Sequence, residues 1–470
     1  MALNAESGIS RREIYVVIGL TAVAAIIRAY RLDYWPLYSD ERFALWISRD
    51  WYHEKWLYVN PLSTVIEFLF AQVLGYDNWA LRAWTLVLGT ITVPILWLIN
   101  QRMFGSTVGL WSAALVTFAT WHIAMSQWAR HYVLQALLTI LFVYISYRAT
   151  ETGSIKRYIF AILVAVCLFF TRQSSVIVYG VVMLYVVILI LLRPWRPRQF
   201  GLGRAVVFLL TLLLLTLIAY LPSASAYLTH EPYGRSAINV IAKAAYLLNP
   251  ALITVAACVS LYGIKIKDRR VMIMALLAFT PTFGIALMAE IGRGVGTVTF
   301  LSILGIFSLV GFGIAEAQEQ ASRPQQVMVT ALSLALIAIL VTQTGLYFTI
   351  EHGHRPRVRD TSSYLASFMV DGDGLYITSA ADPEAFKDFL CKKGIFPKIA
   401  VFYQTWSEPP GFDPKRRTWF VVEDLYSTWD IPFPAHEWVR EHASLVHMVP
   451  SYFGPRSRSL WIYRYDPPAQ

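Results

Sequence analysis

The chain has 470 residues, of which 56% are hydrophobic and only 15% charged, with a net charge of +10. A soluble domain carries about 25% charged residues, so this deficit excludes a single soluble globule, a disordered chain and a nucleic-acid binder with a basic face. It is also uneven: residues 1–350 hold 26 Lys/Arg and 15 Asp/Glu, a net of +11, and residues 351–470 hold 14 and 15, a net of −1. The split predicts a polytopic α-helical membrane domain at 1–350 and a soluble α/β domain at 351–470.

In chain order, Arg11 and Arg12 precede a first apolar run at 14–30. Arg28-Ala-Tyr-Arg31 lacks the small residues of a cleavage site, so the run reads as an uncleaved signal anchor. Further runs long enough to cross about 30 Å of hydrocarbon lie near 79–99, 107–125, 131–148, 157–175, 176–192, 204–221, 247–264, 271–289, 295–314 and 327–348. Together with the anchor they predict about eleven crossings. A twelfth segment, 61–76, is shorter, contains Glu67 and opens with Asn60-Pro61. If it lies in the interface, the N-terminus and the loops at 101–106, 149–156, 193–203, 265–270 and 315–326 share one side and, counting residues at their edges, hold fifteen Lys/Arg against nine on the other. The positive-inside rule then makes that side cytoplasmic and puts the tail outside. In the tail, strands are predicted at 375–378, 399–402, 418–422 and 459–463, and helices at 383–393 and 435–442. It contains no GxGxxG or P-loop. Of three cysteines, Cys167 and Cys258 lie in apolar runs and Cys391 in the tail, which leaves no disulfide framework or CxxC metal site.

Acidic residues are scarce in the membrane part, and nine of the fifteen precede residue 78. The first outer loop, within a segment 31–78, reads Leu-Asp-Tyr-Trp-Pro-Leu-Tyr-Ser39-Asp40-Glu41-Arg42. Ser39 is placed to cap a helix beginning at Asp40, and the density of Trp and Tyr suits a helix lying on the bilayer surface. Taken alone, an Asp-Glu pair there is also what a helix N-terminus favours through its dipole.

Ser39-Asp40-Glu41 resembles the Asp-Glu signature in the first outer loop of GT-C glycosyltransferases, the group with protein O-mannosyltransferases and the aminoarabinose transferase of lipid A. Asn60-Pro61-Leu62 stands where many members have His-Pro-Pro-Leu. Ala80-Leu81-Arg82 and Arg102-Met-Phe104-Gly105 match the flanks of the family's next spanning helix. Ser126-Gln127-Trp-Ala129-Arg130-His-Tyr132 resembles its Ser-Gln-x-Ala-Arg-x-Tyr element, and Arg293 its late Arg-Tyr element with Gly294 in place of Tyr. The matching stretch covers roughly residues 30–175.

The resemblance implies an inverting transfer of a sugar from a polyprenyl-phosphate-linked donor to an acceptor hydroxyl of a glycan, lipid or protein, at the outer membrane face. It makes Asp40 the base and Glu41 its helper. The donor's leaving group is already a phosphate, so one carboxylate suffices to take the acceptor's proton, while cations hold the phosphate. Arg130, Arg293 and Arg172 are candidates, since a cation at membrane depth is costly and usually functional, with Tyr132 a hydroxyl donor. Each of these arginines also fits the plainer role of snorkelling to headgroups. Asn60, Arg235 and Lys243 are candidates for the acceptor or lipid path, although charged loop residues are ordinarily just solvated. No metal and no cofactor are expected, and no nucleic acid. Two other functions fit the same composition: a carrier or flippase for an anionic lipid, and a non-catalytic scaffold, for which the Asn60 and Gly294 departures argue. Neither the sugar, the acceptor nor the oligomeric state is encoded in a motif.

Overall fold

The computed structural model describes residues 9–37, 41, 60–220, 237–290, 296–378, 383–402, 406–423, 434–453, 456–457 and 459–468. It divides into two compact units, one of Met1–Tyr30 with Ile47–Thr344, the other of Arg31–Trp46 with Gly345–Gln470.

The first unit is helical, as apolar chain in a bilayer must be, because lipid satisfies no backbone group. Helix α1 (Arg11–Ala29) opens on a capping box in which the Ser10 hydroxyl accepts from the Glu13 amide and the Glu13 carboxylate accepts from the Ser10 amide. Then follow α2 (Pro61–Leu74), α3 (Asn78–Phe104), α4 (Ser106–Phe118), α5 (Thr120–Ser126), α6 (Tyr132–Thr152), α7 (Ile155–Thr171), α8 (Val176–Leu191), α9 (Leu202–Tyr220), α10 (Ala237–Leu248), α11 (Pro250–Lys265), α12 (Arg269–Glu290), α13 (Ile303–Gln320) and α14 (Arg323–Phe348). Helix thus occupies every one of the eleven predicted runs. Among the described residues six spans are long and apolar enough to cross a membrane, or up to eight if each bent pair counts as one. Helix α2 turns its polar residues Ser63, Thr64 and Glu67 inward, with Ala71 beside them, whereas Leu69 and Val73 are exposed.

One of the predicted runs, 107–125, is broken. Helices α4 and α5 meet at 62°, around Ala119 in an extended conformation. The break strands carbonyls of α4, and Arg28, fully buried on α1, collects them. Its guanidinium donates to the carbonyls of Val116 at 3.0 Å and Thr117 at 3.4 Å, and to His122 Nδ1 at 2.9 Å. The Ser126 hydroxyl accepts from Arg28 Nε at 3.3 Å. Gly89 allows this approach, since a Cβ there would stand 2.1 Å from Ser126 Oγ.

At one end of these helices Arg269 makes a bidentate pair with Glu151 at 2.6 and 2.8 Å, Arg270 donates to the Met103 carbonyl at 2.9 Å, and Arg204 donates to the Gly153 carbonyl. At the other end Gln127 Nε2 donates to the carbonyls of Arg28 and Tyr30 at 2.9 and 2.8 Å.

The second unit contains α15 (Val358–Phe368), β1 (Gly374–Thr378), α16 (Pro383–Lys392), β2 (Lys398–Phe402), β3 (Thr418–Glu423), α17 (Pro434–His442), β4 (Ser444–Val449), the short pair β5 (Tyr452–Phe453) and β6 (Arg456–Ser457), and β7 (Leu460–Tyr465). The main sheet runs β2-β1-β3-β7-β4, parallel across β2, β1 and β3 and antiparallel beyond. Alternation along the strands sends Leu375, Ile377, Trp419, Val421 and Ile462 to one face, against Val358 and Leu365 of α15 and Phe386 and Leu390 of α16. It sends Tyr376, Phe420, Val422 and Tyr463 to the other, against Ala435 and Val439 of α17. The result is a three-layer α/β/α arrangement with strands at the positions read from the sequence, plus an exposed edge strand, β4.

Candidate functional site

In the first unit the turn between α5 and α6 carries Arg130, His131 and Tyr132. His131, the residue before α6, is 2% exposed, and its ring lies 4.3 Å from that of Tyr132. Asn60 reaches it from the start of α2, with Nδ2 3.4 Å from His131 Nδ1. Asn60 stands in the left-handed region (φ 52°, ψ 54°) ahead of Pro61, a conformation asparagine tolerates better than most residues. Its carbonyl accepts from the Ser63 hydroxyl and the Thr64 amide.

Arg172 comes to the same place from the end of α7. Gln135, in the first turn of α6, donates to Ser175 Oγ at 3.0 Å and Ser174 Oγ at 3.4 Å, and the Ser175 amide donates to the Arg172 carbonyl at 2.9 Å. Arg130 and Arg172 are half-buried and Tyr132 is buried. Two arginines and a histidine thus lie together at the N-terminus of a 21-residue helix, residue types whose chemistry suits an anion such as a phosphate.

In the second unit Glu41 is fully buried and its Oε2 lies 3.0 Å from Nη2 of Arg355, itself 2% exposed. Arg355 packs 5.6 Å from the ring centroid of Trp35.

The structure thus gathers Asn60, Arg130, Tyr132 and Arg172 around His131, and places Glu41 with Arg355. Asp40, Arg235, Arg293 and most of the predicted first-loop helix lie outside the described residues. Lys243 lies in α10 with its side chain outside them. Sequence reasoning passed over His131 and Arg355. The signal for the first was its place between two residues already chosen; the second follows the last apolar run in Glu351-His-Gly-His-Arg355. Among the described residues no group of three or more His, Cys, Asp or Glu is disposed to hold a metal.

Residues 60–220 match the profile of the family described as dolichyl-phosphate-mannose-protein mannosyltransferase. No curated protein matches the chain at a significant level. Among solved structures, ArnT from Cupriavidus metallidurans bound to undecaprenyl phosphate is 14% identical, with a TM-score of 0.52 over 95% of this chain and 97% of that one. The same protein in the apo state gives 13%, 0.55, 97% and 98%. AglB from Archaeoglobus fulgidus, in complex with an inhibitory peptide and a dolichol-phosphate, is 10% identical, with a TM-score of 0.51 over 89% of this chain and 70% of that one. The family profile covers about a third of the chain, and over nearly its whole length the chain has the fold of the ArnT structures, that of a multi-pass membrane protein.

Proposed function

We propose that the protein is an inverting glycosyltransferase that moves a sugar from a polyprenyl-phosphate-linked donor to an acceptor hydroxyl at the outer membrane face. The observation that carries this reading is the convergence of Arg130, His131 and Arg172 at the start of α6. A donor phosphate seated there bonds to both guanidinium groups and to the His131 N–H, and the α6 dipole favours it further. Undecaprenyl phosphate in the ArnT structure and dolichol-phosphate in the AglB structure support the lipid class.

Asp40 accepts the proton of the acceptor hydroxyl as the oxygen attacks the anomeric carbon. The new C–O bond forms as the bond to the donor phosphate oxygen breaks, with inversion. The electron pair leaves on the phosphate, where the cations stabilise the growing charge. The proton ends on Asp40, and polyprenyl phosphate is released. No metal or cofactor enters, because the donor brings its own leaving group. Glu41 fixes the loop that carries Asp40. The basic loops face the cytoplasm in this reading, with eleven crossings and the C-terminal unit outside.

The test is reconstitution in vesicles with labelled polyprenyl-phosphate sugars and hydroxyl acceptors. Wild type transfers label, and Asp40→Asn loses it by about 10²-fold or more, the scale of a general base. Undiminished transfer by Asp40→Asn removes that residue as the base. No transfer by wild type with any donor returns the protein to the carrier or scaffold class.

A further inference from the structure

The proposed base, Asp40, needs a fixed neighbour, and Glu41 beside it in the chain is held in place. Within the second unit the anchor is visible. Trp35 is 1% exposed and stacks on Phe348 at 6.0 Å and 9°, with Tyr347 and His352 set edgewise at 5.8 and 6.2 Å. Arg31, four residues earlier, donates to the Phe348 carbonyl at 2.6 Å. The stretch 351–355 wraps this indole through three successive left-handed residues, His352, Gly353 and His354 (φ 47°, 67° and 57°). The turn is pinned by a buried Glu351–His354 pair at 2.7 Å.

Arg355 ends that turn and is held at both its backbone and its guanidinium. Its amide donates to the His352 carbonyl at 3.2 Å, its carbonyl accepts from the Ser451 hydroxyl at 2.9 Å, and its guanidinium lies between Trp35 and the Glu41 carboxylate. Glu41 is the next residue after Asp40 in the chain.

We infer that Arg355 is a positioning residue for the transfer reaction: it holds the Asp40-Glu41 pair in place through its buried ion pair with Glu41, so that the C-terminal unit helps order the catalytic loop. This rests on the proposed glycosyl transfer, with Asp40 as its base. Arginine suits the task because its planar fork meets a carboxylate and an indole together, which a lysine point charge does not.

The test uses the full-length protein in nanodiscs, comparing wild type with Arg355→Met, Arg355→Lys, Glu41→Gln and the double variant Glu41→Gln/Arg355→Met. Two readouts are taken: hydrogen exchange in peptides covering 31–46, and kcat and donor KM for transfer. Arg355→Met is expected to raise exchange in those peptides about tenfold or more and to lower kcat by about 10²-fold, the scale of misplacing a reacting group by an ångström. Donor KM stays at the wild-type value, and Arg355→Lys recovers part of kcat. The double variant is no slower than the worse single one, because the two residues act as one unit. Wild-type exchange with wild-type kcat in Arg355→Met overturns the inference, as does a double variant whose losses multiply. If Arg355→Met does not fold, Arg355→Lys and the near-isosteric Glu41→Gln carry the same comparison. If wild type transfers no sugar, the proposed function fails by itself, and exchange in 31–46 still decides whether Arg355 orders the loop.

Discussion

Replacing Gly353 by alanine separates the two reasons a glycine can be required. Its φ is +67°, and a Cβ there would stand 2.7 Å from Trp35 Cε2 and Cζ2 and 2.9 Å from Cδ2. The conformational part is the left-handed penalty for an L-residue, about 1–2 kcal/mol. The steric part falls on a rigid, buried ring, and overpacking of that kind costs about 1–3 kcal/mol. The sum is about 2–5 kcal/mol. Two other glycines of the same unit serve as references. Gly372 has φ +100° with nothing within 4 Å of an added Cβ, so Gly372→Ala shows the conformational part alone. Gly345 is helical with open space around it, so Gly345→Ala is neutral or stabilises by up to about 1 kcal/mol. Unfolding in detergent, followed by tryptophan fluorescence, should rank the variants Gly345→Ala, Gly372→Ala, Gly353→Ala from most to least stable. In a Trp35→Leu background the Gly353→Ala penalty should shrink to that of Gly372→Ala. Equal penalties for Gly353→Ala and Gly372→Ala in the native background would show that the 351–355 turn does not grip Trp35, and the loop anchor would fall with it.

Two further outcomes test other parts of the molecule. Arg130→Met and Arg172→Met should each weaken binding of polyprenyl phosphate about 10- to 100-fold, the value of a charge-assisted hydrogen bond, measured with a labelled lipid in nanodiscs; unchanged affinity in both removes the phosphate from the α6 site. Burial first, then the charge of Arg440, lowers the His436 pKa to about 4, and burial followed by the charge of Arg357 does the same for His352. The unfolded histidines titrate near 6.5, so between pH 6.5 and 4 the unfolded chain binds protons that the folded chain refuses. Stability contributed by these groups is therefore complete above pH 6.5 and declines as the pH falls toward 4, by up to about 3 kcal/mol for each. His436→Phe should flatten part of that slope in unfolding midpoints taken from pH 7 to 4, and an unaltered slope refutes the assignment.

Much of the helical unit was legible because a bilayer leaves apolar chain few choices, and the predicted runs lie within a few residues of helices. The break at Ala119 was not. No proline or glycine stands there; what stabilises it is Arg28, ninety residues away on α1, taking up the stranded carbonyls. In the tail the strands with alternating faces were readable, whereas β4 was missed because Ser-Leu-Val-His-Met-Val lies on an edge with its residues mostly exposed. The candidate site divides along the same line. Arg130, Tyr132 and Asn60 stand in recognisable local patterns. The bonds that organise them, Asn60 to His131 and Glu41 to Arg355, join distant parts of the chain that no local periodicity connects.

Two of these distant contacts also bear on how the chain threads the membrane. Every crossing carries it from one face to the other, so points bonded at the same end of the helices are separated by an even number of crossings. Gln127 donates to the Tyr30 carbonyl at 2.8 Å, and Asn60 lies 3.4 Å from His131. Among the described residues between Tyr30 and Gln127 stand α2, α3 and the bent pair α4 and α5. Helix α3, with 27 residues, is about 40 Å long, and the bent pair returns the chain to the same end. These two crossings already make an even number, so a third by α2 would pull the bonded groups apart. Helix α2 is in any case too short: its 14 residues extend about 21 Å against about 30 Å of hydrocarbon. Its inward-turned Ser63, Thr64 and Glu67 and exposed Leu69 and Val73 suit a helix lying along the interface with its apolar side to lipid. With α2 excluded from the count, the basic loops joined through Glu151 and Met103 fall at the opposite end from Arg130, His131 and Arg172. The positive-inside rule favours the cytoplasm for those loops, which supports the proposed placement of Arg130, His131 and Arg172 at the outer face.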